Sequence, residues 1–192
     1  MRGRILAFTA GSLACVVTPV GPLYASNGLA IPTYQLLTTL HIFGAILFLG
    51  SIVASGLWMS GARKTNNRAV LHFASRAVVR ADWFYALPGL ILIIGPGVMG
   101  VGRFGGFGRA SWAELSLALT VLVVVIWLTQ LVRYQRMMLQ ITREAVELRI
   151  GLSDEFHKYA ARWSFWGGVV ILLLLGSLVL MVFKPHLWGP LA

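Results

Sequence analysis

Apolar residues along the chain gather into blocks separated by short polar stretches. Four blocks are long: about Tyr34 to Met59, Trp83 to Val101, Trp112 to Val132 and Trp163 to Phe183. Each approaches the roughly 20 residues that carry a helix across a bilayer. Helix is the form such blocks must take, because lipid offers the backbone no hydrogen-bond partner. A shorter block, Ile5 to Val17, follows Arg2 and Arg4; Pro19 and Pro22 break it ahead of the small residues Ala25 and Ser26. That is the layout of a secretory signal. Residues 1–26 are therefore expected to be a signal peptide or, uncleaved, a signal-anchor helix.

The pattern predicts an all-α fold: an integral membrane, antiparallel bundle of four transmembrane helices over residues 33–186, plus the N-terminal segment. Trp83, Trp112, Trp163 and Trp188 stand at block ends, where indoles anchor helices at the membrane–water interface. The stretch 61–81 reads as a loop, and 133–162 as an extension of the third helix that Gly151 ends. Ser153 is placed to cap the fourth helix, with Asp154 and Glu155 in its first turn. Gly95-Pro96-Gly97 should bend the second helix and open a small space at about the depth of His41. The glycine-rich run Arg103 to Arg109 reads as a flexible turn, since it follows a membrane helix and lacks the GK[ST] of a phosphate loop.

Composition supports this class: hydrophobic residues make up 58% and charged residues 11%, against about 25% charged in soluble domains. The net charge of +10 would suit nucleic acid, but no basic face alternates with aromatics as in single-strand binders. The basic residues fall between the apolar blocks instead. Thirteen of the 16, at 2–4, 63–80 and 133–162, lie on one side, and Arg103, Arg109 and Lys184 on the other. The positive-inside rule puts the thirteen in the cytoplasm and the C-terminus in the periplasm of a bacterial inner membrane. Lipid is the expected partner, including anionic headgroups at the basic loops, and nucleic acid is not. Cys15 is the lone cysteine, so neither an intrachain disulfide nor a CxxC site can form.

Ionisable residues inside a membrane are costly and mark function. His41 lies about two turns into the first helix, on a stripe of Thr38, His41, Gly44, Phe48, Ser51 and Ser55. Four of these six are small or hydroxylic, so another backbone or a flat ligand can come close. Two readings stand: the stripe packs helices and His41 bonds a neighbouring carbonyl, or His41 is the metal ligand of a haem with Gly44 leaving the clearance. A haem ligand's tautomer would be fixed by the Leu37 carbonyl or the Thr38 hydroxyl; the haem would be five-coordinate, share a ligand from another chain, or use a methionine such as Met99 or Met181. Arg80 and Asp82 are two apart and so on different faces, each expected to pair with another helix or a headgroup. Glu114 suits the first turn of the third helix. His72, His157 and His186 fall outside the apolar blocks, and Met99, Met137, Met138 and Met181 are too dispersed for copper transport. No HExxH or Ser-His-Asp pattern occurs.

Three stretches carry a resemblance: Leu40-His41-Ile42-Phe43-Gly44 with the residues up to Gly50, Arg80-Ala81-Asp82-Trp83-Phe84 with Pro88-Gly89, and Leu180 to Pro185. Over about residues 33–186 the chain resembles the bacterial integral membrane proteins of domain-of-unknown-function family 2269, for which no activity follows. More distantly the first stretch resembles the HemJ-type protoporphyrinogen oxidases, whose first-helix histidine binds haem b, and the CopD-type copper-resistance proteins. That resemblance implies haem b as a cofactor at His41. The expectation is a b-haem-binding or redox-associated membrane protein. Its alternative is a non-catalytic accessory or scaffold subunit without cofactor, as a homo-oligomer or among other membrane subunits; a small transporter stands behind both.

Overall fold

Helix runs almost without interruption through the computed structural model, which describes residues 33–188 and the backbone of Leu23–Tyr24 and Ala30–Ile31. Those two short segments pair antiparallel. The signal expected at residues 1–26 otherwise lies outside the described residues.

Helix α1 covers Thr33–Thr65. Helix α2, Arg68–Ala81, passes through a single π turn, Asp82–Ala86, into α3, Leu87–Gly100, which tightens into a 3-10 turn at Val101–Phe104. Helix α4, Ser111–Ile126, passes likewise through a π turn, Trp127–Leu131, into α5, Val132–Glu147. Helix α6 covers Asp154–Phe183. The result is four rods, Thr33–Thr65, Arg68–Phe104, Ser111–Glu147 and Asp154–Phe183, each long and apolar enough to cross a membrane. The protein is a multi-pass, all-helical integral membrane bundle, as the hydrophobic pattern predicts.

The rods exceed the bilayer. The second and third have 37 residues each, about 55 Å at 1.5 Å per residue, against a hydrocarbon core of about 30 Å. The excess lies at the end carrying Arg63, Lys64, Arg68, Arg76 and Arg80, called the basic end below. There α2 packs on α5 and on α1, and α5 on α6. Toward the opposite end the bundle works as two tight pairs, α1 with α3 and α4 with α6. A core of Phe48, Met59, Leu71, Val78, Val123, Trp127, Met138 and Val170 runs between.

Several local expectations change. The stretch 61–81 is mostly helix. Asn66 turns the chain at φ 48°, and Asn67 Oδ1 accepts from Ala69 N at 2.9 Å to start α2. Its buried face is Leu71, Ala74, Ser75, Val78 and Ala81, an amphipathic spacing that a search for unbroken apolar runs passes over. Ser153 occupies the cap position of α6, but its hydroxyl makes no capping bond; its carbonyl accepts from Phe156 N at 3.1 Å. Trp163 is no interfacial anchor. Only 7% exposed, it belongs to the core. The glycine-rich turn is pinned: Gly108 N donates to the Glu114 carboxylate, and Trp188 Nε1 donates to Glu114 Oε2 at 3.0 Å. Gly105, Gly106 and Gly108 all have positive φ, where a side chain would be strained.

Candidate functional site

The small-residue stripe of α1 faces inward. Gly44, Phe48, Ser51 and Ser55 are all buried, continuing to Met59 and Ala62. Glycine at position 44 lets α1 meet α3 backbone to backbone. A Cβ on Gly44 would stand 2.6 Å from Leu92 Cβ and 2.7 Å from the Gly89 carbonyl oxygen. A Cβ on Gly89 would stand 2.8 Å from Phe48 N and 2.9 Å from the Gly44 oxygen. Each glycine is the other's clearance, and the space foreseen beside Gly44 is filled by α3.

About a turn above this contact, His41 Nδ1 lies 2.7 Å from the Ile93 carbonyl oxygen. A carbonyl only accepts, so Nδ1 carries the proton; in the neutral ring Nε2 then keeps its lone pair. The acceptor is on α3 and not within α1. Thr38, foreseen as an acceptor, instead donates its hydroxyl to Tyr34 O at 2.9 Å. Gly97 makes room for the imidazole: a Cβ there would be 2.8 Å from Nδ1 and 3.0 Å from Cε1. Pro96 has no N–H to return to the preceding turn, yet α3 stays helical from Leu87 to Gly100. The space expected near Gly95-Pro96-Gly97 is therefore where the imidazole sits.

Whether these residues fit a haem divides in two. The tautomer fits an Nε2 ligand, since ligating histidines usually donate the other nitrogen to a carbonyl. The slot does not fit. Between α1 and α3 the chains are in van der Waals contact at Gly44 and Gly89, and a porphyrin has no room on that side of the ring. Met99 is 45% exposed on the outer surface of α3. No group of three or more His, Cys, Asp or Glu that could hold a metal ion occurs among the described residues.

A second polar site was only half visible in the sequence. Asp82, the first residue of one π turn, accepts from Nε1 of Trp127, the first residue of the other, at 3.1 Å. The buried Gln135 adds a second side-chain bond to the same carboxylate. Trp127 also meets Phe48 edge to face, with centroids 6.4 Å apart. Asp82 thus ties α2–α3 to α4–α5, as expected of a costly intramembrane charge. Nothing in the sequence marks Trp127 as its partner, because a π turn shifts the face of every following residue and breaks the 3.6-residue spacing. Ser55, Ser75 and Trp163 Nε1 are buried without a hydrogen-bond partner among the described residues.

The remaining candidates serve the frame. His72 Nδ1 lies 3.4 Å from Thr142 Oγ1, linking α2 to α5. His157 is exposed beside the Phe156 ring and His186 is exposed in the tail. Met138 is wholly buried, Met137 is 37% exposed and Met181 half-buried. Arg80 and Asp82 part as their spacing requires, Arg80 to the surface and Asp82 into the bundle.

No curated protein and no solved structure matches the chain. A family model described as "Predicted integral membrane protein (DUF2269)" matches residues 35–185, which takes in α1 through α6, the His41 clasp and the Asp82 site. The chain belongs to the DUF2269 family of integral membrane proteins.

Proposed function

We propose that the chain is a non-catalytic membrane scaffold, an accessory subunit whose polar intramembrane groups hold its own helices together. The observation that carries this is the His41 Nδ1–Ile93 bond set over the Gly44/Gly89 contact. The residue most suited to chemistry is spent on closing α1 against α3. Asp82 is spent in the same way on Trp127 and Gln135, and Ser116 donates to the Ser177 carbonyl at 3.3 Å between α4 and α6. The family match adds membrane residence and no reaction. The basic end is placed in the cytoplasm and Lys184 onward in the periplasm of a bacterial inner membrane, on the split of thirteen basic residues to three.

A second reading keeps His41 as an axial ligand of a b-type haem, supported by the free Nε2 lone pair of the Nδ1–H tautomer. The porphyrin would then approach from the side away from α3, with its second ligand outside this chain or absent. One experiment separates the two. The full-length protein is purified from haem-replete cells and its reduced-minus-oxidised spectrum recorded beside that of His41→Ala. The scaffold reading expects no Soret band in either and a less stable variant. A stoichiometric Soret band that His41→Ala removes would replace it with the haem reading.

A further inference from the structure

At the basic end, α2 and the π turn after it, with Trp58 of α1, line an open groove of about 450 Å³ that neither the helix clasp nor the Asp82 site uses. We propose that this groove binds one anionic phospholipid, its phosphate held by Arg76 and Arg80 and its first acyl methylenes lying against Phe73, Phe84 and Trp58.

Three observations carry this. The first is charge. Arg76, Arg80 and His72 line the groove and no carboxylate does. The nearby acids are committed elsewhere: Glu147 to Arg143 at 2.7 Å, Glu144 to Gln140 at 3.0 Å, and Asp82 to Trp127 on the opposite face. Arg143–Glu147 is the one ion pair among the described residues, so both groove arginines lack an anionic partner. The second is shape. Phe73, Arg76 and Arg80 recur at helical spacing on one face of α2, Phe84 in the π turn that follows lines the same groove, and Phe73 and Phe84 are 74% and 71% exposed. Rings this exposed beside guanidinium groups form a surface that is half charged and half apolar, which suits an amphiphile better than a free ion. The third is depth. From Arg76 to Phe84 the helix climbs about 12 Å, from the water-facing part of α2 to the start of the apolar block at Trp83. Headgroup and chain would each lie at their own level of the bilayer. Basic pockets between transmembrane helices are a known setting for anionic headgroups.

The test uses the full-length protein in mild detergent, titrated with short-chain phosphatidylglycerol and observed by native mass spectrometry. Phosphatidylcholine of the same chain length and inorganic phosphate serve as the neutral-lipid and free-anion probes. One phosphatidylglycerol should bind in preference to phosphatidylcholine, and phosphate at equal concentration should not displace it. Arg76→Gln with Arg80→Gln should weaken binding roughly thirtyfold, about fivefold for each charge at an interface. Arg63→Gln with Lys64→Gln, outside the groove, should leave it unchanged. Phe73→Ala with Phe84→Ala keeps both charges and should also weaken it, which separates a lipid site from an anion site. Equal binding of the two lipids by the wild type, displacement by phosphate, or unchanged affinity in the arginine variant would each overturn the proposal. The wild-type lipid comparison stands even if a variant fails to fold.

Discussion

Replacing Gly44 by alanine should open the α1–α3 contact and break the His41 bond with it. The added carbon would sit 2.6 Å from Leu92 Cβ and 2.9 Å from Ile93 N, whereas carbon atoms rest at about 3.5–4.0 Å. The obstruction is largely backbone, which no rotamer change relieves, so the helices must part by about 1 Å. That parting stretches the His41 Nδ1–Ile93 contact from 2.7 Å to about 3.5 Å or more, the limit of a hydrogen bond. Overpacking costs about 1–3 kcal/mol and the lost bond about 0.5–1.5 kcal/mol. The better helix propensity of alanine returns about 1 kcal/mol, leaving a net loss of about 0.5–3.5 kcal/mol. Gly50, with nothing within 4 Å of its would-be Cβ, is the internal control: Gly50→Ala should be neutral or stabilising by up to about 1 kcal/mol. Unfolding in mixed micelles of mild detergent and SDS, followed by circular dichroism, reads both. His41→Ala should also cost less in the Gly44→Ala background than alone, because the two share one contact. Gly44→Ala as stable as Gly50→Ala, or additive with His41→Ala, would refute the reasoning.

Other outcomes follow from the same geometry. Trp127→Phe removes a donor from Asp82 and should destabilise by about 1–3 kcal/mol; a double-mutant cycle with Asp82→Asn should show coupling, and strict additivity would contradict the bond. Ser55→Ala deletes a buried hydroxyl that has no hydrogen-bond partner among the described residues and should be neutral or stabilising, so a loss above about 1 kcal/mol would reveal a partner for it. Periplasm-active and cytoplasm-active reporters fused after Lys184 should light up only in the periplasmic case, as the split of basic residues leads us to expect; activity of the cytoplasmic reporter alone would overturn that topology.

The fold was largely legible because lipid leaves so few choices. An apolar block of bilayer length must be helix, and the placing of Tyr34 to Met59 or Trp163 to Phe183 follows from that alone. Length was less legible. Helix α2 carries Arg68, Arg76 and Arg80, so hydropathy hid it, while the spacing of Leu71, Ala74, Val78 and Ala81 announced it. The small-residue stripe of α1 was readable as a close contact, but its partner was not: Gly89 and Gly97 become meaningful only once α3 lies antiparallel to α1. His41 was legible as a polar group needing a partner, and its acceptor proved to be Ile93 on another helix because the close crossing at Gly44 and Gly89 brings that carbonyl to 2.7 Å from the ring. The Asp82–Trp127 bond could not be read at all. It depends on two π turns, and no residue pattern in Asp82 to Ala86 or Trp127 to Leu131 declares the extra residue in the turn.

Histidine ¹⁵N NMR of the labelled full-length protein in micelles tests most directly the proposal that His41 binds a helix and not a cofactor. His41 should show the Nδ1–H tautomer with a slowly exchanging proton, and adding one equivalent of haemin should leave its resonances in place. An Nε2–H tautomer, or His41 signals shifted and broadened by the paramagnetic iron, would contradict it.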